Sequence, residues 1–176
     1  MQSVSNDNFG PLVAYLVPGA TVLIGLSPFS PTLQEWLATA PAASPTVGGF
    51  LYVTVASLTV GMTLSAFRWF LVDTIHGLTG LPPPMLDFSE LGENVEAYVL
   101  LIEIHYRHYQ FYANMLIAAA VAYVCYRVRL GGHALGWVDL GALVLEAVFF
   151  VTSRDTLRKY YTRSRQLLSV RAINIK

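Results

Sequence analysis

Apolar residues fall along this chain in four blocks, at about 11–27, 47–70, 108–128 and 137–153, separated by polar or proline-rich stretches. An uncharged run of 32 residues, Trp36 to Phe67, precedes Arg68, the first Lys or Arg in the sequence. A bilayer core takes about 20 apolar residues per helical crossing. The pattern therefore predicts an all-α integral membrane protein with four transmembrane helices and helical cytoplasmic extensions.

Turn and breaker residues set the expected bounds. Pro11 suits a first helical turn. Pro18-Gly19 should kink the first span, which membranes tolerate when a neighbour satisfies the freed carbonyl. Four prolines (Pro28, Pro31, Pro41, Pro45) mark a loop over 28–46, with a short interfacial helix near 32–37 anchored by Trp36. The second helix is expected to run through Arg68, Asp73 and His76 to Gly77 or Gly80, before Pro82-Pro83-Pro84 forces an extended break. Ser89 is placed to cap a long helix from about 92 to 129, ended by Gly131-Gly132. A fourth helix starts near Trp137 and should continue past Tyr161, because no Gly or Pro interrupts it.

Composition agrees with lipid as the solvent. The 176 residues are 55% hydrophobic and 12% charged, against roughly 25% charged in soluble domains. The length fits one domain, 1–176. Cys125 is the single cysteine, which excludes an internal disulfide or a cysteine metal cluster. The small residues at 38–43 resemble a signal-peptidase site but lie too far beyond the first apolar block, so that block is read as a retained span.

Charge placement sets the expected sidedness. The tail after Ser153 carries Arg154, Arg158, Lys159, Arg163, Arg165, Arg171 and Lys176, while the 28–46 loop has no cation. The termini are expected inside, in a bacterial inner membrane, with Arg127 and Arg129 snorkelling on the opposite side. The 73–103 stretch carries Asp73, Asp87, Glu90, Glu93, Glu96 and Glu103 with no cation, a charge of −6; the tail carries +6. Segments 71–107 and 154–176 are expected to lie together as a cytoplasmic layer, or the tail to contact anionic membrane lipids.

Polar residues inside apolar blocks are the candidates for chemistry. Glu146 lies in such a block, and Asp139, Glu146 and Ser153 recur every seven residues, near one helical face. A carboxylate in hydrocarbon pairs, faces the protein interior or lines water, so these residues point to an ion path or a structural ion pair, with Arg68 as one candidate partner. Asn114 is placed to bond across helices. Ser57, Gly61 and Ser65, with Ala118 and Ala122, form small-residue faces for close helix packing, within the chain or between subunits. Asp73, His76, His105 and His108 form a candidate surface metal site at helical spacing; the alternative is an interfacial aromatic belt. No nucleophile elbow, Walker loop or dinucleotide fingerprint occurs, and no motif calls for a cofactor. The basic tail reads as a solvated, insertion-directing segment in preference to a nucleic-acid contact.

These features lead to an expected homo-oligomeric ion-permeable pore or membrane effector, gated from its cytoplasmic layer. The alternatives are a membrane-embedded sensor or scaffold holding a cytoplasmic protein partner, and a metal-dependent membrane enzyme.

Overall fold

A computed structural model describes residues 6–39, 44–131 and 134–168, with side chains except at 6–11, 90 and 93. The small-residue stretch at 40–43, Gly132, the tail cations Arg171 and Lys176, and the side chains of Glu90 and Glu93 lie outside that description.

Every regular element among the described residues is helical. Helix α1 spans Asn6–Leu26 and is followed by a 3₁₀ turn, Ser27–Phe29, and the short α2, Pro31–Trp36. Ser30 caps α2 by accepting from the Leu33 amide at 3.3 Å. Thr46 caps α3, Val47–Arg68, by accepting from the Gly49 amide at 3.0 Å. A π turn, Trp69–Asp73, carries α3 into α4, Thr74–Leu78. The three prolines keep 81–87 out of helix. Beyond them α5, Leu91–Leu101, a second π turn, Ile102–Tyr106, and α6, Arg107–Leu130, form one continuous rod. Gly131 ends α6 in the left-handed region, φ 65°, where glycine carries no Cβ penalty. Helix α7 runs unbroken from Trp137 to Leu168. Asp87 caps the 3₁₀ turn Phe88–Glu90 that leads into α5: the Ser89 amide and hydroxyl both donate to Asp87 Oδ1, at 3.0 and 2.6 Å.

Three stretches are long and apolar enough to cross a membrane: Leu12–Phe29, Val47–Leu78 and Asn94–Leu130. Helix α7, expected as a fourth, is not among them. Asp139 and Arg154 bracket its apolar part, and Glu146 interrupts it.

Helix α1 is the centre of the bundle, packed along both α3 and α6. Two glycines make the α1–α3 approach close. A Cβ on Gly19 would overlap the Ser57 carbonyl, and one on Gly61 would overlap the Tyr15 backbone. A Cβ on Gly25 would stand 2.7 Å from the Ala122 Cα of α6, a looser but still close approach. Ala118 is fully buried beside Val22 and Leu64. Ser57, Gly61, Ala118 and Ala122 are thus occupied inside the chain, and Ser65 is half-buried beside them in sequence. Of the two readings open for those faces, within the chain or between subunits, the contacts that α1 makes on Ser57, Gly61 and Ala122 are within the chain.

Pro18 shows how sequence and packing fit together. Proline has no N–H, so the carbonyl four residues earlier, Ala14, loses its helical donor. Asn114 Nδ2 of α6 donates to that carbonyl at 3.2 Å. Helix α1 continues through Pro18 without a break.

The antiparallel α6–α7 pair returns α7 to the end of the bundle where α1 starts. Val13 and Ala14 face Glu103, Arg107 and His108 across a small cavity. Leu157 packs with Tyr109, Ala113 and Val72 in the larger apolar cluster.

Candidate functional site

A polar node is buried where the ends of α3 and α4 meet α6 and α7. Arg68 is only 4% exposed, and His76, Tyr109 and Ser153 are fully enclosed. In an α-helix, residues five apart point about 140° away from each other. The wider π turn at 69–73 brings Arg68 and Asp73 to one face, with Nη1 3.5 Å from Oδ1. The Tyr109 hydroxyl donates to the same Asp73 oxygen. The Arg68 guanidinium stands 5.0 Å from the Tyr109 ring centroid and 5.9 Å from that of Tyr106, within cation–π range. The buried charge is therefore held by one carboxylate and two aromatic faces.

Beside it, His76 Nε2 lies 3.1 Å from Ser153 Oγ. Ser153 donates its own proton to the Phe150 carbonyl at 2.9 Å, so His76 donates to Ser153. A nucleophilic serine needs the opposite direction, its proton passing to the histidine. The pair instead ties α4 to α7.

The 74–101 segment and the second half of α7 sit together beyond this node. Tyr98 and Tyr160 share a hydroxyl hydrogen bond of 3.1 Å, and Tyr160 packs against Tyr106 at 5.1 Å. Arg154 donates to the Thr79 carbonyl at 2.6 Å. The Asp87 amide donates to the Leu168 carbonyl at 3.3 Å. Burial, followed by the Tyr98 hydrogen bond, raises the Tyr160 hydroxyl above its ordinary pKa. Among the described side chains, no ion pair joins an acid of 73–103 to a cation of 154–168. The pairs are Arg68–Asp73, Arg107–Glu103, Arg127–Asp139 and Lys159–Asp155. The expected charge layer is therefore held by tyrosines and backbone hydrogen bonds, with Glu96, Arg158, Arg163 and Arg165 exposed to solvent.

At the opposite end, Asp139 ties α7 to α6. It pairs with Arg127 at 3.2 Å, accepts from the Tyr123 hydroxyl at 2.6 Å, and accepts from the Gly136 amide at 2.6 Å. The arginine that a positive-inside reading leaves on the wrong side thus has a carboxylate there. Glu146 lies two turns further on, in an apolar groove of about 480 Å³ shared with Tyr123, Leu140 and Leu143. Its Oε1 is enclosed and has no hydrogen-bond partner. Asp139, Glu146 and Ser153 thus share a helical face without sharing an environment, and Arg68 pairs with Asp73 and not with Glu146.

The candidate metal residues do not converge. Among the described residues, no three His, Cys, Asp or Glu side chains gather as a ligand set. Asp73 and His76 are taken by the node. His108 Nδ1 engages the Ile104 carbonyl, and His105 lines a separate groove with Arg163. Sequence reasoning missed Tyr106 and Tyr109 as partners of Arg68; the only signal was the aromatic density of 105–112. No known protein family matches the chain, and no curated protein or solved structure matches it.

Proposed function

We propose that this chain assembles into a homo-oligomeric ion-permeable pore, a membrane effector controlled from the end of the bundle that holds the polar node. The reading takes α7 as a fourth crossing and that end as the cytoplasmic side of a bacterial inner membrane, with both termini inside. The concentration of cations at 154–165 supports this sidedness.

The observation that carries the proposal is Glu146. Helix α7 turns Trp137, Leu143, Val148 and Val151 outward, all more than half exposed. Among them is a carboxylate with an enclosed, unpartnered oxygen. In hydrocarbon such a group costs a few kcal/mol unless water or a partner reaches it. A second copy against the α6–α7 groove would supply both a cover for the apolar face and a shared polar path, flanked by Asp139. Arg68, at the join between the spans and the 154–165 cations, would link the layer to that path.

The test is ion flux through liposomes containing the purified chain, with Glu146→Gln beside it. An altered flux at equal oligomer content is expected. Equal flux from a well-folded oligomer, or a chain that stays monomeric in nanodiscs, removes the pore. A scaffold role is the second reading, favoured by the exposed row Val95, Val99, Leu100 and Ile104 on α5 and the π turn. A protein retained through that row, with no flux, would select it.

A further inference from the structure

Glu146 lacks a cation, and the rest of the chain has none to bring to it. Its Oε1 is enclosed without a hydrogen-bond partner, and none of the ion pairs among the described side chains includes it. Asp139, the other acid on the groove, already engages Arg127, the Tyr123 hydroxyl and the Gly136 amide. Residues 1–67, 108–126 and 137–153 contain no Lys or Arg. A second copy in the same orientation therefore offers apolar side chains at the depth of Glu146 and no positive charge.

The groove has the form of a small-molecule site. Its volume is about 480 Å³, walled by Leu135, Leu140, Ala142 and Leu143, with Tyr123 and the two carboxylates as its polar side chains. Sites for drug-sized ligands are mostly apolar, with a few polar groups that fix orientation. With α7 crossing the bilayer, Glu146 lies about 10 Å below Asp139, deeper than a phospholipid headgroup held at the surface.

We infer that this groove binds a lipophilic amine in its ammonium form, the nitrogen donating to Glu146 and the apolar body lying along Leu135, Leu140 and Leu143. Charge complementarity selects this class. A neutral ligand leaves the carboxylate unpaired in an apolar wall, and an anion is repelled by it. A metal ion would find one free carboxylate and, among the described residues, no ligand set around it. Tyr123 lines the same groove, and an aromatic face attracts a cation. The inference rests on the proposed pore's placement of α7 across the bilayer, and not on conduction.

The test is equilibrium dialysis of the full chain in zwitterionic nanodiscs against phenylbutylammonium. Phenylbutanol serves as the uncharged hydrogen-bonding analogue, phenylbutanoate as the anionic one, and empty nanodiscs as the partition background. Saturable binding of the ammonium is expected, about tenfold or more tighter than the alcohol, with no binding of the anion. Glu146→Gln should weaken it by about tenfold to a hundredfold, the worth of a hydrogen bond to a charged group. Leu143→Trp narrows the groove, keeps the carboxylate, and should weaken it too. Equal binding of ammonium and alcohol would mean that Glu146 holds its own proton, and overturns the site. An unchanged affinity in Glu146→Gln or in Leu143→Trp overturns it as well. The comparison of ligands is made on the parent chain, so it decides even where a variant fails to fold. Liposome flux separates the site from the pore: ammonium binding without flux keeps the site and removes the pore, and flux without ammonium binding does the reverse.

Discussion

Pro18 and Asn114 make a prediction that the fold quantifies. Asn114 Nδ2 donates to the Ala14 carbonyl, which Pro18 deprives of its helical partner. Asn114→Leu removes that donor and leaves a buried carbonyl unsatisfied, a loss of about 1–3 kcal/mol. The same substitution also removes Asn114 Oδ1, which is enclosed without a partner, and adds side-chain volume, so the single variant mixes effects of opposite sign. A double-mutant cycle separates them. In Pro18→Ala the residue-18 amide returns to the Ala14 carbonyl, and the Asn114 bond becomes redundant. The orphaned Oδ1 and the added volume are the same in both backgrounds and cancel. What remains is the worth of the cross-helix bond, about 1 kcal/mol by the range measured between membrane helices. Asn114→Leu should therefore cost about 1 kcal/mol less in Pro18→Ala than in the parent. Unfolding in mixed micelles by sodium dodecyl sulfate, followed by the fluorescence of the three tryptophans, measures each corner. A coupling indistinguishable from zero would mean that Asn114 does not serve the proline defect, and the account of why α1 runs through Pro18 would fail.

Two further outcomes test the node and the layer beyond it. Asp73→Asn leaves Arg68 enclosed without its carboxylate; breaking such a pair costs about 3–5 kcal/mol when both groups are buried. Asp73 is 27% exposed at the side chain and two aromatic faces remain on Arg68, so about 2–3 kcal/mol is expected in the same titration. A loss below about 0.5 kcal/mol would show that Tyr106 and Tyr109 alone hold the charge. Tyr160 gives a pH dependence. Its folded pKa is raised, by burial first and then by the Tyr98 hydrogen bond, whereas an unfolded tyrosine titrates near 10. The contribution is complete below about pH 10 and declines as pH rises above it, because the unfolded chain releases its proton first. Thermal stability measured from pH 8 upward should fall above about 10, and Tyr160→Phe should flatten that fall; an unchanged slope would place the titration elsewhere.

The sequence by itself determined the helical character of the chain, the positions of its breaks and one close-approach face. Apolar blocks of spanning length leave backbone groups no partner but their own helix, and Pro82-Pro83-Pro84 and Gly131 act on φ/ψ wherever they stand. Ser57 and Gly61 were legible as a close-approach face because a small or absent side chain is a local property. Which helix fills that face was not local. Tertiary packing assigned it to α1, and with it decided that these residues serve the chain's interior. The candidate site was less legible still. Reading Arg68 and Asp73 at α-helical spacing separates them by more than a third of a turn. Only the π turn, stabilised by what packs against it, joins them and adds Tyr106 and Tyr109 from a helix more than thirty residues away. Glu146 was visible as an anomaly in an apolar block, but its enclosed oxygen and open groove come from how α7 lies on α6. Helix periodicity records which residues share a face; it does not record what that face meets.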